Sequence, residues 1–86
     1  MAKSYILSFN STSYAIAAEQ KMMRYFNITV IPTPREITQN CGLSIKINDN
    51  NERKIIDTVK SMGVPCVLYR MGSGTPHTLE KILIVA

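Results

Sequence analysis

Pro32 and Pro34 stand two positions apart in the stretch IPTPREITQNCGL, and no regular element runs through such a pair. Proline has no backbone N–H and a fixed φ, so the β-branched run from Ile28 to Ile31 must stop there as a strand. On the far side, Gly42-Leu43-Ser44-Ile45-Lys46-Ile47 alternates strictly, which predicts a strand with Leu43, Ile45 and Ile47 facing a core. The loop between 31 and 42 therefore divides the chain into two halves that echo each other in pattern.

In the first half, SYILSF at residues 4 to 9 predicts a strand, with Tyr5, Leu7 and Phe9 on one face and Ser8 on the other. The following NSTS supplies several candidate N-caps. Ala15, Ala18, Met22, Tyr25 and Phe26 then fall at helical spacing, so an amphipathic helix is expected over 12–26. In the second half, Asp49 and Glu52 have capping-box spacing, and Ile55, Ile56, Val59 and Met62 define the buried stripe of another helix. Gly63 can close that helix, with Pro65 beyond it, and Cys66 to Met71 read as the fourth strand. The order βαββαβ suits a ferredoxin-like α+β sandwich, an antiparallel four-stranded sheet with two helices on one face. This core would span residues 1–71. The extension 72–86 reads as a GSGTP loop followed by KILIVA, either an extra edge strand or a segment that packs on a partner chain.

With 86 residues the chain has room for one hydrophobic core, so a functional site must lie on the surface of one small fold. Hydrophobic residues make up 45% and charged residues 19%, and no apolar run approaches the roughly 18 residues of a membrane span. The short apolar segment in MAKSYILSF, broken by Ser8, Asn10 and Ser11, does not read as a signal peptide, so a cytoplasmic protein is expected. In that compartment the two cysteines are free thiols rather than a bridge. The glycosylation patterns at Asn10 and Asn27 are then coincidental. The net charge of +4 could attract an acidic partner, but the basic residues are scattered along the chain as on an ordinary solvated surface.

In the expected topology the first and second strands run the same way and the third runs back between them. The 31–42 loop, the start of the first helix and the start of the fourth strand then meet at one end of the sheet. Cys41 would lie near Asn10, Ser11 and Thr12, where backbone N–H groups and the helix dipole favour an anion such as a thiolate. Arg35 in the same loop would further lower the thiol pKa. Gly42 leaves room for a bulky sulfur donor and for a sharp entry into the third strand, while Pro32 and Pro34 restrict the loop. A lone cysteine is also a common small core residue, and residue types alone leave both readings open.

The run Pro32-Thr33-Pro34-Arg35-Glu36-Ile37-Thr38, followed by Cys41-Gly42-Leu43 and an alternating strand, closely resembles the signature of the selenium/sulfur carrier-like family of small domains. The opening YILSFNSTSYAIAAE is similar to the N-terminal half of the same family, so the resemblance covers residues 4 to 71. Thr38 stands where serine is expected, which keeps the hydroxyl. The resemblance implies a carrier more than a turnover enzyme, in which Cys41 holds sulfur or selenium as a persulfide or perselenide and passes it on. It implies a donor of the cysteine desulfurase or selenocysteine lyase type and an acceptor protein. Thr38 and Asn40 would be hydrogen-bond donors to the terminal anion, alongside Arg35 and the helix start. No cofactor is required.

Cys66 starts the fourth strand with the first strand between it and Cys41, beyond direct disulfide reach, so it is either a buried strand cysteine or a resolving thiol. His77 has no second ligand at metal-binding spacing, and Gly72-Ser73-Gly74 lacks the lysine of a phosphate loop. The rival class is a non-enzymatic regulatory module that binds a ligand or protein, since ferredoxin-like sheets serve many functions. Nucleic-acid binding is disfavoured because the third strand offers Ser44 and Lys46 outward and no aromatic residue for base stacking. A homodimer through the sheet edge stays open.

Overall fold

The computed structural model describes residues 4–35, 37, 42–72 and 79–85. Seven elements follow one another along them: β1 (Ser4–Ser8), α1 (Thr12–Met22), β2 (Ile28–Pro32), β3 (Leu43–Asn48), α2 (Glu52–Met62), β4 (Cys66–Met71) and β5 (Leu79–Val85). They form an α+β fold of the ferredoxin-like type with an added C-terminal strand. The sheet order is β2-β3-β1-β4-β5, and every neighbouring pair is antiparallel. β5 settles the question raised by KILIVA, because it pairs with β4 from Cys66↔Val85 to Met71↔Leu79 around a bulge between Leu68 and Tyr69.

The core follows from strand alternation. Tyr5, Leu7, Ile45, Ile47 and Leu68 point to one face and meet Ala15, Ala18 and Met22 of α1 and Ile55, Val59 and Met62 of α2. Each large side chain fully withdrawn from water there stabilises the fold by roughly 1.5–3 kcal/mol. Phe9 lies just past β1 and is still wholly buried in the same cluster. Leu43, expected to face the core, is 38% exposed at the edge of the sheet, whereas Ile45 and Ile47 are buried. Pro32 is tolerated as the last residue of β2 because β2 is an edge strand.

Both helices depart from the expected boundaries. α1 ends at Met22 rather than at 26, with Met23 as C-cap donating to the Glu19 carbonyl. Tyr25 N and Phe26 N then both bond the Met22 carbonyl, a turn that returns Phe26 to the core but leaves Tyr25 58% exposed. Tyr25 is therefore not a core residue. At α2 the N-cap is Asn51, whose side chain accepts from Lys54 N at 3.1 Å, so the capping box drawn from Asp49 to Glu52 does not form. Asp49 instead accepts from Asn51 N at 2.8 Å. Glu52 turns toward the sheet, taking the Tyr5 hydroxyl at 3.0 Å and Arg70 at 2.7 Å, and Arg70 also binds Glu80 of β5 at 2.7 Å. That network joins α2, β1, β4 and β5. Gly63 closes α2 as expected, with a left-handed φ of 69°.

No helix among the described residues is long and apolar enough to cross a membrane.

Candidate functional site

Register places the expected convergence of elements. Ser8 at the end of β1 stands opposite both Ser44 of β3 and Val67 of β4, and Ser44 stands opposite Ile31 of β2. The ends of β1 and β2 and the starts of β3 and β4 therefore share one end of the sheet, where α1 also begins. Thr33 N donates to the Gly42 carbonyl at 2.9 Å, closing the base of the β2–β3 connection.

Of the expected site residues, Ser11 is the N-cap of α1, and its hydroxyl accepts from Tyr14 N at 3.3 Å. Asn10 and Thr12 beside it are exposed. Arg35 lies exposed in a turn of the connection, and Gly42 is exposed at its end. A Cβ added at Gly42 would meet no atom of the described residues within 4 Å, and its φ is not in the left-handed region. Glycine there supplies open space rather than a backbone shape that other residues cannot take. The structure thus brings residues 10–12, Arg35 and Gly42 to the same end of the molecule. Cys41, Thr38 and Asn40 lie outside the described residues, as does His77.

Cys66 is 5% exposed and part of the helix-side core, and it is a free thiol. Burial pushes its pKa up to about 12. A thiol held protonated in this way is a poor nucleophile at neutral pH. Its setting is that of a packed strand residue, and a resolving role would require the core around it to open.

The sheet face opposite the helices holds residues that strand alternation alone did not single out. Ile6, Ser8 and Ser44 on this face are all fully buried. Ser44 faces away from the helices as expected, but it is buried rather than open to solvent. Thr33 shares the face and its Oγ1 lies 2.8 Å from Ser44 Oγ, so the connection folds back over the sheet here. Ile37 of the same connection is 5% exposed yet stands outside the helix-side cluster, as does Ile6. Ser8 Oγ has no hydrogen-bond partner among the described residues. Leaving a buried hydroxyl unsatisfied costs about 1–3 kcal/mol. The only signal in the sequence is a pair of small polar residues interrupting two apolar strands. That they are cross-strand neighbours is invisible without the register. Farther out, the same face carries Lys46 and Tyr69 flanking Ile6, so an aromatic ring does lie there, on β4 rather than β3.

Surface hollows also occur among the described residues. A shallow apolar groove lined by Ile16, Val30 and Leu43 among others runs between α1 and the β2 edge. A cavity of about 260 Å³ at the C-terminal turn of α1 is lined by Lys21, Arg24, Tyr25, Thr58, Ser61 and Met62. No group of three or more potential metal ligands occurs among the described residues.

A ferredoxin-like α+β domain with a proline-bounded loop at one sheet end and a Cys-Gly pair at the loop's close defines a small single-core protein built around that connection. The chain belongs to the family described as "Putative Se/S carrier protein-like", whose model matches residues 4–67. The match includes the whole β2–β3 connection and ends within β4, leaving β5 outside it. No curated protein and no solved structure matches the chain.

Proposed function

We propose that this protein carries sulfane sulfur or selenium on Cys41 and relays it from a donor enzyme to an acceptor protein. The observation that carries the reading is the family match across residues 4–67, which contains the Cys41-Gly42 pair. The open space at Gly42, the exposed Arg35 and the start of α1 at the same sheet end support it. With Cys66 buried and its thiol held protonated, Cys41 is the better candidate for the acceptor.

The chemistry is an exchange without net oxidation. The Cys41 thiolate attacks the outer chalcogen of a donor persulfide or perselenide, the donor's S–S or S–Se bond breaks, and the donor leaves as a thiolate that takes up the proton Cys41 gave away. Release repeats the step, with an acceptor thiolate attacking the outer atom and Cys41 leaving. Donors of the cysteine desulfurase or selenocysteine lyase type fit the first step, and a reducing cytoplasm keeps the thiol free for it. Arg35, Thr38, Asn40 and the α1 start are the groups proposed to steady the terminal anion.

Intact mass after incubation with a cysteine desulfurase and free cysteine tests this reading. Wild type and Cys66→Ser should gain sulfur and Cys41→Ser should not. Sulfur uptake that survives loss of Cys41 would overturn the assignment. A regulatory module without carrier chemistry would instead show no thiol-dependent gain in any variant.

A further inference from the structure

The sheet has two edge strands, β2 and β5, and they are not alike. β5 carries the exposed charges of Glu80 and Lys81, a usual guard against pairing with another chain, whereas β2 reads Ile-Thr-Val-Ile-Pro and has no charge. The β2–β3 ladder fixes which way its backbone faces. Thr33 N donates to the Gly42 carbonyl and Asn48 N to the Asn27 carbonyl, and both pairs continue the register, so residues 27, 29, 31 and 33 turn their polar groups toward β3. Ile28, Val30 and Pro32 therefore turn theirs outward, and no strand lies beyond β2 among the described residues to take them. The side chains beside this edge are apolar as well: Val30, Leu43 and Ile16 of α1 are exposed and line one groove, and no cation lines it.

We propose that the β2 edge is the contact of a twofold homodimer, in which β2 pairs antiparallel with β2 of a second copy. The register that overlaps the two strands along their full length is centred on Val30. Each Val30 N–H then donates to the carbonyl of the partner's Val30, and each Ile28 N–H to the carbonyl of the partner's Pro32. Pro32, having no N–H, forgoes only the bond to the partner's Ile28 carbonyl. On the helix side the two apolar grooves meet across the axis, and on the other side Thr29 stands opposite the partner's Ile31, a β-branched pair suited to a sheet. A second copy fits this edge better than an acidic partner does. The net charge of +4 is carried elsewhere, since neither β2 nor the groove holds a lysine or arginine, so two like-charged copies meet where neither is charged positive. Because the paired strands run in opposite directions, the two β2–β3 connections leave the joined edge at opposite ends. Each proposed carrier loop keeps its own approach, and the dimer stands or falls independently of the carrier reading.

Analytical ultracentrifugation of the full chain under reducing conditions, where no disulfide can join two copies, tests the proposal. Over about 1 μM to about 1 mM, wild type should pass from monomer to dimer and no further. Val30→Pro deletes the N–H at the axis, a group the β2–β3 ladder does not use, and should raise the dissociation constant about tenfold or more. Val30→Lys alters no backbone group and places two ammonium groups at the axis, so it should have an effect at least as large. It also carries the test if proline weakens the strand, and circular dichroism with Tm confirms that each variant is folded. Ile84→Lys, at an exposed position of β5, should leave the dissociation constant unchanged. Wild type that stays monomeric throughout overturns the proposal, as does a dimer equally tight in both Val30 variants. Loss of the dimer in Ile84→Lys, or growth into species larger than a dimer, would likewise overturn it by placing β5 in the contact.

Discussion

Ser8 and Cys66 are both buried, and burial acts on them in different ways. For Cys66 it suppresses chemistry, because desolvation disfavours the thiolate and pushes the pKa up from 9.0 to about 12. Such a shift cuts the thiolate fraction roughly a thousandfold at neutral pH, so alkylation of Cys66 should be slow in the native protein and rapid only on unfolding. The same shift has a sign for stability. Between about 9 and about 12 the folded chain holds a proton that the unfolded chain has lost, so stability falls as pH rises through that window and is unaffected below it. Tyr5, raised chiefly by burial and then by its hydrogen bond to Glu52, adds to the same alkaline loss. Urea unfolding followed from pH 8 upward should therefore show a decline that is shallower in Cys66→Ala; an unchanged slope would mean the thiol is not desolvated. For Ser8, burial leaves a hydroxyl with no hydrogen-bond partner among the described residues.

At the scale of elements, Gly42 and Gly63 do different things. Gly63 ends α2 in the left-handed region at φ 69°, where a Cβ meets no atom of the described residues within 4 Å but the backbone itself resists a side chain. Gly63→Ala should lower stability by about 1 kcal/mol. Gly42 combines an ordinary φ with the same freedom from contacts, so Gly42→Ala should leave the urea midpoint unchanged while slowing sulfur loading if donors approach there. A stability loss at Gly42 matching that at Gly63 would show that its backbone, not its open side, is what matters. The elements also explain where periodicity misled. Nothing in the local sequence stops α1 at Met22; the turn to Phe26 is imposed by the need to seat that ring in the core, where the Lys54 ammonium lies 5.4 Å from its centroid. Likewise Glu52 abandons a capping role for Tyr5 and Arg70, partners that lie 47 and 18 positions away.

Over the whole molecule, β5 changes which sheet edge is open. It covers β4 and packs Ile82, Leu83 and Val85 against the core, while Arg70 ties it to α2 through Glu80 and Glu52. A chain ending at Gly72 should lose roughly 3 kcal/mol from these part-buried aliphatic groups and expose the β4 edge to association. Denaturant titration and light scattering would read both effects, and a truncated chain of unchanged midpoint and mass would show β5 to be dispensable. The order of strands and helices, and the end of the sheet to which the proline-bounded loop belongs, were legible in the chain because alternation, helical spacing and the breakers Pro32, Pro34 and Gly63 are local properties. The family, too, was readable from a contiguous motif. Tertiary structure decided the burial of Ser8 and Ser44, the exit of Tyr25 to solvent, the silence of Cys66 and the docking of β5, since each depends on cross-strand or helix-to-sheet neighbours distant along the chain, whose positions only close packing and register can set.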